Sequence, residues 1–214
     1  MSIICPTVTV ESRKEYDHQI NQALTFVKRI HIDISDGSLA PRVLLGIDKM
    51  WWPDNAIADI HIMSIHPSNE VEIACRIVPN LVILHAEIVE SPDTYIDMLH
   101  ANSIKVGIAL LPETSVKSVE RFLLKVDHVL IFSGNLGYQG GSTANMKLLS
   151  KVKQIKEVNN KLEIGWDGGV NDENVNLLAD GGIDVINSGG FIQNSPNPKN
   201  AYAKLELAIK NTVD

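Results

Sequence analysis

Apolar and polar residues alternate over positions 30–37, which read Ile30-His31-Ile32-Asp33-Ile34-Ser35-Asp36-Gly37. This alternation, with its β-branched residues, predicts a strand. Successive side chains of a strand point to opposite faces, so His31, Asp33 and Ser35 share one face and the isoleucines face the other way. An imidazole and a carboxylate on one face can bind a divalent metal or move protons, and they can equally form a buried structural pair.

Further apolar segments recur along the chain and alternate with segments of helical character. The patterns predict strands at 3–10, 31–36, 59–63, 81–87, 104–110, 128–132, 162–167 and 183–187. They predict helices at about 13–27, 67–77, 92–101, after 112–115, at 144–158, after 171–172 and within 198–211. The segment between the second and third strands is less regular and ends at Pro53.

Strands that alternate with helices imply right-handed crossovers and a parallel sheet. Eight such units that close on themselves form a (β/α)8 TIM barrel of the α/β class, and an open doubly wound sheet is the alternative. The nucleotide-binding form of that alternative has Gly-x-Gly-x-x-Gly after its first strand, and this chain has no such motif there. We therefore predict one barrel domain over residues 1–214.

Composition describes an ordinary globular protein, with 44% hydrophobic and 21% charged residues. A net charge of −7 disfavours nucleic acid and anionic membranes as partners. Two cysteines, Cys5 and Cys75, suggest neither a disulfide framework nor a structural zinc site. The N-terminal residues do not resemble a signal peptide, and no apolar run approaches the length of a membrane span, so we expect a cytoplasmic protein.

The active site of a barrel lies at the C-terminal ends of its strands. Several strand ends of this chain have acidic or histidine side chains, and His85 and Glu87 follow the fourth strand. Two histidines and two carboxylates form a set that suits Zn, Fe(II) or Mn. These four candidate metal ligands are His31, Asp33, His61 and Asp167.

Glycines follow the last three predicted strands, in the segments 137–141, 168–169 and 189–190. Glycine allows backbone N–H groups to close around an anion, and the loops after strands seven and eight are the usual phosphate site of a barrel. Each glycine pair by itself is equally typical of a turn. Three such loops on consecutive strands favour a phosphate-binding site.

The motifs of the chain resemble those of the ribulose-phosphate 3-epimerase family, in order and over essentially the whole length. The resemblance is found in His31-x-Asp33-x-x-Asp36-Gly37, Asp59-x-His61-x-Met63, Lys105-Val106-Gly107-x-Ala109-Leu110-x-Pro112-x-Thr114, Asn135-x-Gly137-Tyr138-x-Gly140 and Asp167-Gly168-Gly169-Val170. It implies a barrel with one divalent metal bound by His31, Asp33, His61 and Asp167, and it implies that the two aspartates are the catalytic acid–base pair. The substrate and phosphate site would comprise Met63, Gly137, Tyr138, Gln139, Gly140, Gly168, Gly169, Gly189 and Gly190.

The chain departs from the family pattern at several positions that concern the substrate. Val10 stands where the family has a substrate-binding serine, and Ser35 and Phe132 stand where it has apolar methionines. Gln139 replaces a glycine, and Gly190 replaces a serine that helps to bind phosphate. These departures leave the metal set intact and predict a change in the identity of the substrate or in the efficiency of turnover.

The resemblance therefore implies an isomerase that epimerises a ketose phosphate, with D-ribulose 5-phosphate as the leading substrate and a homo-oligomeric assembly. Three alternatives stay open at this point. A phosphosugar lyase or decarboxylase would need a lysine among the rim carboxylates, and the motif around Asp33 lacks one. A metal-dependent hydrolase would leave the glycine loops without a role. A non-catalytic phosphosugar-binding protein would need neither aspartate.

Overall fold

The computed structural model describes residues 2–210. Within them, eight parallel strands form a closed barrel in the order of the sequence. The strands are β1 (Ile3–Val8), β2 (Arg29–Ser35), β3 (Ile57–Met63), β4 (Leu81–His85), β5 (Lys105–Leu110), β6 (His128–Phe132), β7 (Glu163–Asp167) and β8 (Val185–Ser188). The barrel closes between β1 and β8, where Ile4 pairs with Ile186. The predicted fold class is confirmed, and the open-sheet alternative is wrong.

The helices surround the barrel and connect its strands. They are α1 (Arg13–Ala23), α2 (Ser68–Ile77), α3 (Pro92–Ala101), α4 (Val116–Val119), α5 (Ser150–Val158), α6 (Val175–Asp180), α7 (Gly190–Gln193) and α8 (Pro198–Lys210). The predicted end of the last helix, Asn211, and the predicted domain limits at 1 and 214 lie outside the described residues. No helix between residues 2 and 210 is long and apolar enough to cross a lipid bilayer.

Several predicted helices are shorter in the structure than in the sequence pattern. Helix α1 ends at Ala23, because the next residues form tighter turns such as the bond from the Phe26 amide to the Ala23 carbonyl. The predicted helix 144–158 begins instead with a 3₁₀ turn, Met146–Leu149, in which the Lys147 amide donates to the Asn145 side chain. Between β2 and β3 the connection contains a 3₁₀ turn, Ile47–Lys49, in place of the α-helix that a regular barrel unit has.

Side chains inside the barrel fall into a polar layer at each end and an apolar layer between them. The apolar layer is a small cluster of Leu81, Ile83, Ala109 and Leu130. The outer faces of the strands pack on the helices in a much larger apolar core. Because parallel strands are covered on both faces, these layers account for the nearly continuous apolar runs in the sequence.

The polar layer at the N-terminal end is an ion-pair network centred on Arg29. Its guanidinium donates to both oxygens of Glu163, at 2.8 and 2.7 Å, and to Asp59 Oδ2 at 2.6 Å. His128 Nδ1 lies 2.9 Å from Glu163 Oε2. Burial opposes ionisation of Glu163, but Arg29 and His128 outweigh it and lower the pKa of this carboxyl well below its usual range.

This network predicts an acid-sensitive contribution to stability. A depressed carboxyl pKa stabilises the fold above the unfolded-state pKa of about 4.3, and the stabilisation is lost as the pH falls toward the folded-state value. We expect the free energy of unfolding of Glu163→Gln to fall less steeply between pH 6 and pH 3 than that of the wild type, measured by urea denaturation. Glu157→Gln, on the exposed face of α5, is the control. Equal slopes for wild type and Glu163→Gln would contradict the prediction.

Candidate metal centre and substrate cavity

Two histidines and two aspartates meet inside the barrel at the C-terminal ends of three strands. His31 and Asp33 come from β2, His61 comes from β3 and Asp167 is the last residue of β7. One nitrogen or oxygen atom from each of the four lies within 4.8 Å of the others, and all four residues are buried. The structure therefore brings together the four residues that the sequence analysis selects as metal ligands.

The strand register explains this convergence. Parallel pairing of β2 with β3 sets Asp33 directly beside His61, and pairing of β6 with β7 sets Phe132 beside Asp167. Alternation along β2 keeps His31 and Asp33 on the inner face. In the closed barrel, strand register and alternation thus determine which side chains lie together at this end of the barrel interior.

Asp33 is the most extensively bonded member of the four. Its Oδ2 accepts a hydrogen bond from Thr9 Oγ1 at 2.6 Å, and its Oδ1 lies 2.9 Å from His61 Nδ1 and 3.2 Å from His31 Nε2. Burial opposes its ionisation, but the two imidazoles outweigh burial and lower the pKa of Asp33. Asp33 is therefore held as a carboxylate.

Asp167 experiences the opposite balance. Burial and the negative charge of Asp33 raise its pKa to about 7, and His31 Nε2, at 3.7 Å from Oδ2, offsets them only in part. Burial also lowers the pKa of His61 to about 4. Two carboxyl groups whose pKa values are pushed apart are typical of an acid–base pair, and a divalent cation bound between them would favour the ionised form of both.

The four side chains fit a divalent metal. His31 Nε2 is buried and has no hydrogen-bond partner among the described residues, although two carboxylates lie near it. A buried imidazole nitrogen without a hydrogen-bond partner is energetically unfavourable, and a cation bound to its lone pair would remove that cost. Two imidazole nitrogens and two carboxylate oxygens form the donor set of a mononuclear Zn, Fe(II) or Mn site.

Asp33 and Asp167 form part of the wall of a cavity of about 240 Å³ that opens at the C-terminal end of the barrel. All nine residues that the sequence analysis assigns to the substrate and phosphate line the same cavity: Met63, Gly137, Tyr138, Gln139, Gly140, Gly168, Gly169, Gly189 and Gly190. Among the described residues that line it there is no lysine. The residues predicted to bind the ligand thus line one continuous space, together with the two carboxylates.

The glycines that line the cavity differ in whether the structure has room for a side chain at their position. Gly168 and Gly169 have φ of +111° and +71°, and a Cβ on either would lie 2.1 Å from a backbone nitrogen, that of Gly134 and that of Ala144 respectively. Both glycines are needed for the loop after β7 to pack on the loop after β6. Substitution there disturbs the chain itself and does not test ligand binding.

Gly189 offers a cleaner test of the phosphate site. A Cβ at this position would make ordinary contacts of 3.5 Å with Gln139 and Thr7, so a side chain can be added without a clash. We expect Gly189→Asp to raise the KM for a sugar phosphate at least about 10-fold more than Gly189→Asn, because only the aspartate adds a repelling charge. Equal KM values for the two variants, which have side chains of nearly the same size, would count against a phosphate at this wall.

The positions that depart from the family pattern fall into two groups in the structure. Phe132, Gln139 and Gly190 line the cavity. Ser35 lies outside its lining and its hydroxyl accepts a hydrogen bond from the Gly37 amide, while Val10 is buried in the apolar core. The expectation that Val10 and Ser35 change the substrate contacts is therefore not supported by their positions, whereas Phe132 and Gln139 are placed to change them.

Among the polar residues that line the cavity and that the sequence analysis did not select are Thr7, Thr9 and Asn187. Thr7 Oγ1 and Asn187 Oδ1 are buried without a hydrogen-bond partner within residues 2–210, and Thr9 donates to Asp33. The signal for the threonines was present, since alternation along the first strand places positions 7 and 9 on one face. For Asn187 the signal was its place at the end of the eighth strand.

Comparison with known proteins gives matches along most of the chain. Residues 3–192 match the model of the Ribulose-phosphate 3 epimerase family. The ribulose-phosphate 3-epimerase of Helicobacter pylori is 31% identical over 183 residues, which cover 83% of this chain and 84% of that protein. The enzyme of the same name from Bacillus subtilis is 26% identical over 184 residues, covering 82% and 84%.

Solved structures share the fold at lower sequence identity. 3-Hexulose-6-phosphate synthase from Salmonella typhimurium superposes with a TM-score of 0.73 and 14% identity, covering 98% of this chain and 99% of that one. Phosphoribosyl anthranilate isomerase from Thermus thermophilus has a TM-score of 0.66 and 11% identity, covering 98% and 99%. At these identities the likeness establishes the barrel alone.

Proposed function

The chain belongs to the ribulose-phosphate 3-epimerase family and is a phosphosugar epimerase of the isomerase class, and from this premise we propose that it interconverts D-ribulose 5-phosphate and D-xylulose 5-phosphate with one divalent metal bound per chain. The observation that supports this most directly is the buried cluster of His31, Asp33, His61 and Asp167 at the wall of a glycine-lined cavity. Epimerisation beside a ketone needs a proton acceptor, a proton donor and a positive charge, and this cluster has side chains for all three roles.

Asp33 and Asp167 exchange the proton in this proposal. Asp33, whose Oδ2 accepts a hydrogen bond from Thr9, takes the proton from the carbon next to the ketone and leaves an enediolate. Asp167, on the strand across the barrel mouth, returns a proton to the opposite face of the same carbon. In the reverse direction the two groups exchange roles.

His31, Asp33, His61 and Asp167 would hold the divalent metal, which we propose to be Zn, Fe(II) or Mn. When bound, it supplies positive charge near the substrate oxygens that become negative as the proton leaves. The apolar side chains of Phe132 and Met63 line the cavity and would reduce the access of water to the reacting carbon. Backbone amides at 137–140, 168–169 and 189–190 would anchor the phosphate and so fix the orientation of the sugar.

Proton exchange with solvent tests this function. We expect wild-type protein in D2O to convert D-ribulose 5-phosphate to D-xylulose 5-phosphate with deuterium at carbon 3, seen by NMR. A related epimerase of another pentulose or hexulose phosphate is the second candidate, because Phe132 and Gln139 alter the cavity wall. A panel of ketose phosphates assayed in the same way separates the two. Binding of these sugars without any exchange would contradict both and would identify a non-catalytic binding protein.

A further inference from the structure

A series of hydrogen bonds leads from the four candidate metal ligands to the loops after β4 and β5. His61 Nε2 lies 2.8 Å from His85 Nε2, and His85 Nδ1 lies 3.2 Å from Glu87 Oε2. The hydroxyl of Thr114 donates to the other carboxylate oxygen of Glu87. His61 and His85 are buried, and neither His85 nor Glu87 lines the substrate cavity within the described residues.

A buried lysine fixes the loop that contains Thr114, the last residue in this series of hydrogen bonds. Lys151, from α5, donates to the carbonyls of Leu111, Pro112 and Thr114 at 2.7, 3.1 and 2.8 Å. All three carbonyls belong to the loop between β5 and α4. The ammonium group therefore holds this loop, and with it the Thr114 hydroxyl, against Glu87.

When both imidazoles are neutral, the direction of each hydrogen bond follows from the Glu87 carboxylate. Glu87 only accepts when ionised, so the proton between it and His85 is on Nδ1 of the histidine. A neutral His85 with that proton has a lone pair on Nε2, and it therefore accepts from Nε2–H of His61. A neutral His61 with its proton on Nε2 has a lone pair on Nδ1, and this atom faces Asp33, another candidate metal ligand.

A divalent cation bound beside Asp33 would favour this arrangement over the opposite one. If His61 had its proton on Nδ1, His85 would donate from Nε2, and a neutral His85 would then turn a lone pair toward the Glu87 carboxylate at 3.2 Å. The favoured arrangement instead sets the lone pair of His61 Nδ1 against Asp33 Oδ1 at 2.9 Å. Two acceptors at that distance require a cation beside them, which is the condition for binding a metal.

We propose that His85 and Glu87 are positioning residues that keep Nε2 of His61 protonated and Nδ1 free to bind the metal. This inference rests on the proposed metal-dependent function. It assigns a role to two residues that the acid–base chemistry does not use, and it names Nδ1 as the ligand atom of His61. Partners of this kind typically change metal affinity 10- to 100-fold when they are removed.

Two variants of His85 separate hydrogen bonding from packing. Glutamine can accept from His61 through its oxygen and donate to Glu87 through its nitrogen, whereas leucine of similar size does neither. We expect His85→Leu to weaken zinc binding about 10- to 100-fold, measured by competition with a chelator of known affinity, and His85→Gln to bind within about 3-fold of the wild type. Unchanged binding by His85→Leu, or equally weak binding by both variants, would overturn the proposal.

His128 is a matched control. It is as buried as His85, and its Nδ1 lies 2.9 Å from Glu163 Oε2, but at the other end of the barrel. His128→Leu should lower stability and leave the dissociation constant for zinc unchanged. A comparable loss of zinc affinity in His128→Leu would show that His85→Leu acts through general loss of stability.

Nitrogen NMR tests the protonation of His61 directly in the wild-type protein, so the result does not depend on whether a variant folds. In the zinc-loaded protein, 15N–1H correlation of the histidine rings should show the His61 proton on Nε2, and a proton on Nδ1 would overturn the proposal. Failure of the wild type to bind a divalent metal would instead refute the proposed function, so the two failures are distinguishable.

Discussion

Asp167→Asn is expected to lower kcat for epimerisation by about 10²- to 10⁴-fold, because asparagine can neither donate nor accept the proton on its face of the substrate. Asp33→Asn should lower it by a similar factor from the other face. Each variant retains the opposite carboxylate. We therefore expect each to exchange the carbon-3 proton of one epimer with D2O more readily than it converts that epimer, and the two variants should favour different epimers.

Both aspartates are candidate metal ligands, so metal content must be measured beside turnover. The comparison is interpretable where an asparagine variant still binds about one equivalent of zinc, since the loss of rate then reports the missing proton transfer. Intact turnover in both variants on the best ketose phosphate would refute the two-aspartate mechanism. Exchange that favours the same epimer in both variants would show that one face lacks its own acid or base.

His61→Ala is expected to lose the metal, and with it at least about 10²-fold in kcat. The imidazole is both a candidate ligand and a partner of Asp33, at 2.9 Å, so its removal takes one of four donors and leaves a buried carboxylate with less support. Elemental analysis of purified protein should find about one divalent metal per chain in the wild type and much less in the variant. Chelation of the wild type should abolish turnover, and adding Zn, Fe(II) or Mn should restore it.

His100→Ala is the control for this experiment. His100 is exposed on α3 and bonds Asp127 away from the cluster, so its removal should leave metal content and kcat unchanged. A wild type without metal, whose activity survives chelation, would contradict the metal hypothesis whichever histidine is replaced.

The count of eight strand–helix units predicted the barrel, and the alternation along the second and third strands predicted which side chains face its interior. The register that sets Asp33 beside His61 follows from parallel pairing of two strands that each carry a matching apolar–polar alternation. The helix limits were predicted less well. Propensity does not report where a chain tightens into a 3₁₀ turn, as it does before α5, because that depends on packing against the barrel.

What the sequence did not predict depends on contacts between segments far apart in the chain. Thr9 reaches Asp33, and Lys151 reaches the loop that contains Thr114, only because the barrel closes. In the same way, a resemblance of motifs marked Ser35 and Val10 as substrate positions. Tertiary packing directs the Ser35 hydroxyl to the Gly37 amide and places Val10 in the core. Residue identity gives the chemistry of a side chain, and the fold decides what it faces.

The close packing of Gly168 and Gly169 on the neighbouring loop has a consequence for how the chain can evolve. A Cβ at either position meets backbone at 2.1 Å, so these glycines are required for folding whether or not the protein turns over a substrate. A descendant that lost its activity would still retain them, whereas Gly189, which has room for a side chain, would be free to drift. In a library of all single substitutions selected only for soluble protein, Gly168 and Gly169 would therefore remain invariant. Glycines at these two positions of a related chain therefore indicate only that the barrel is intact. A glycine at position 189 is the better indication that the related chain has kept its activity.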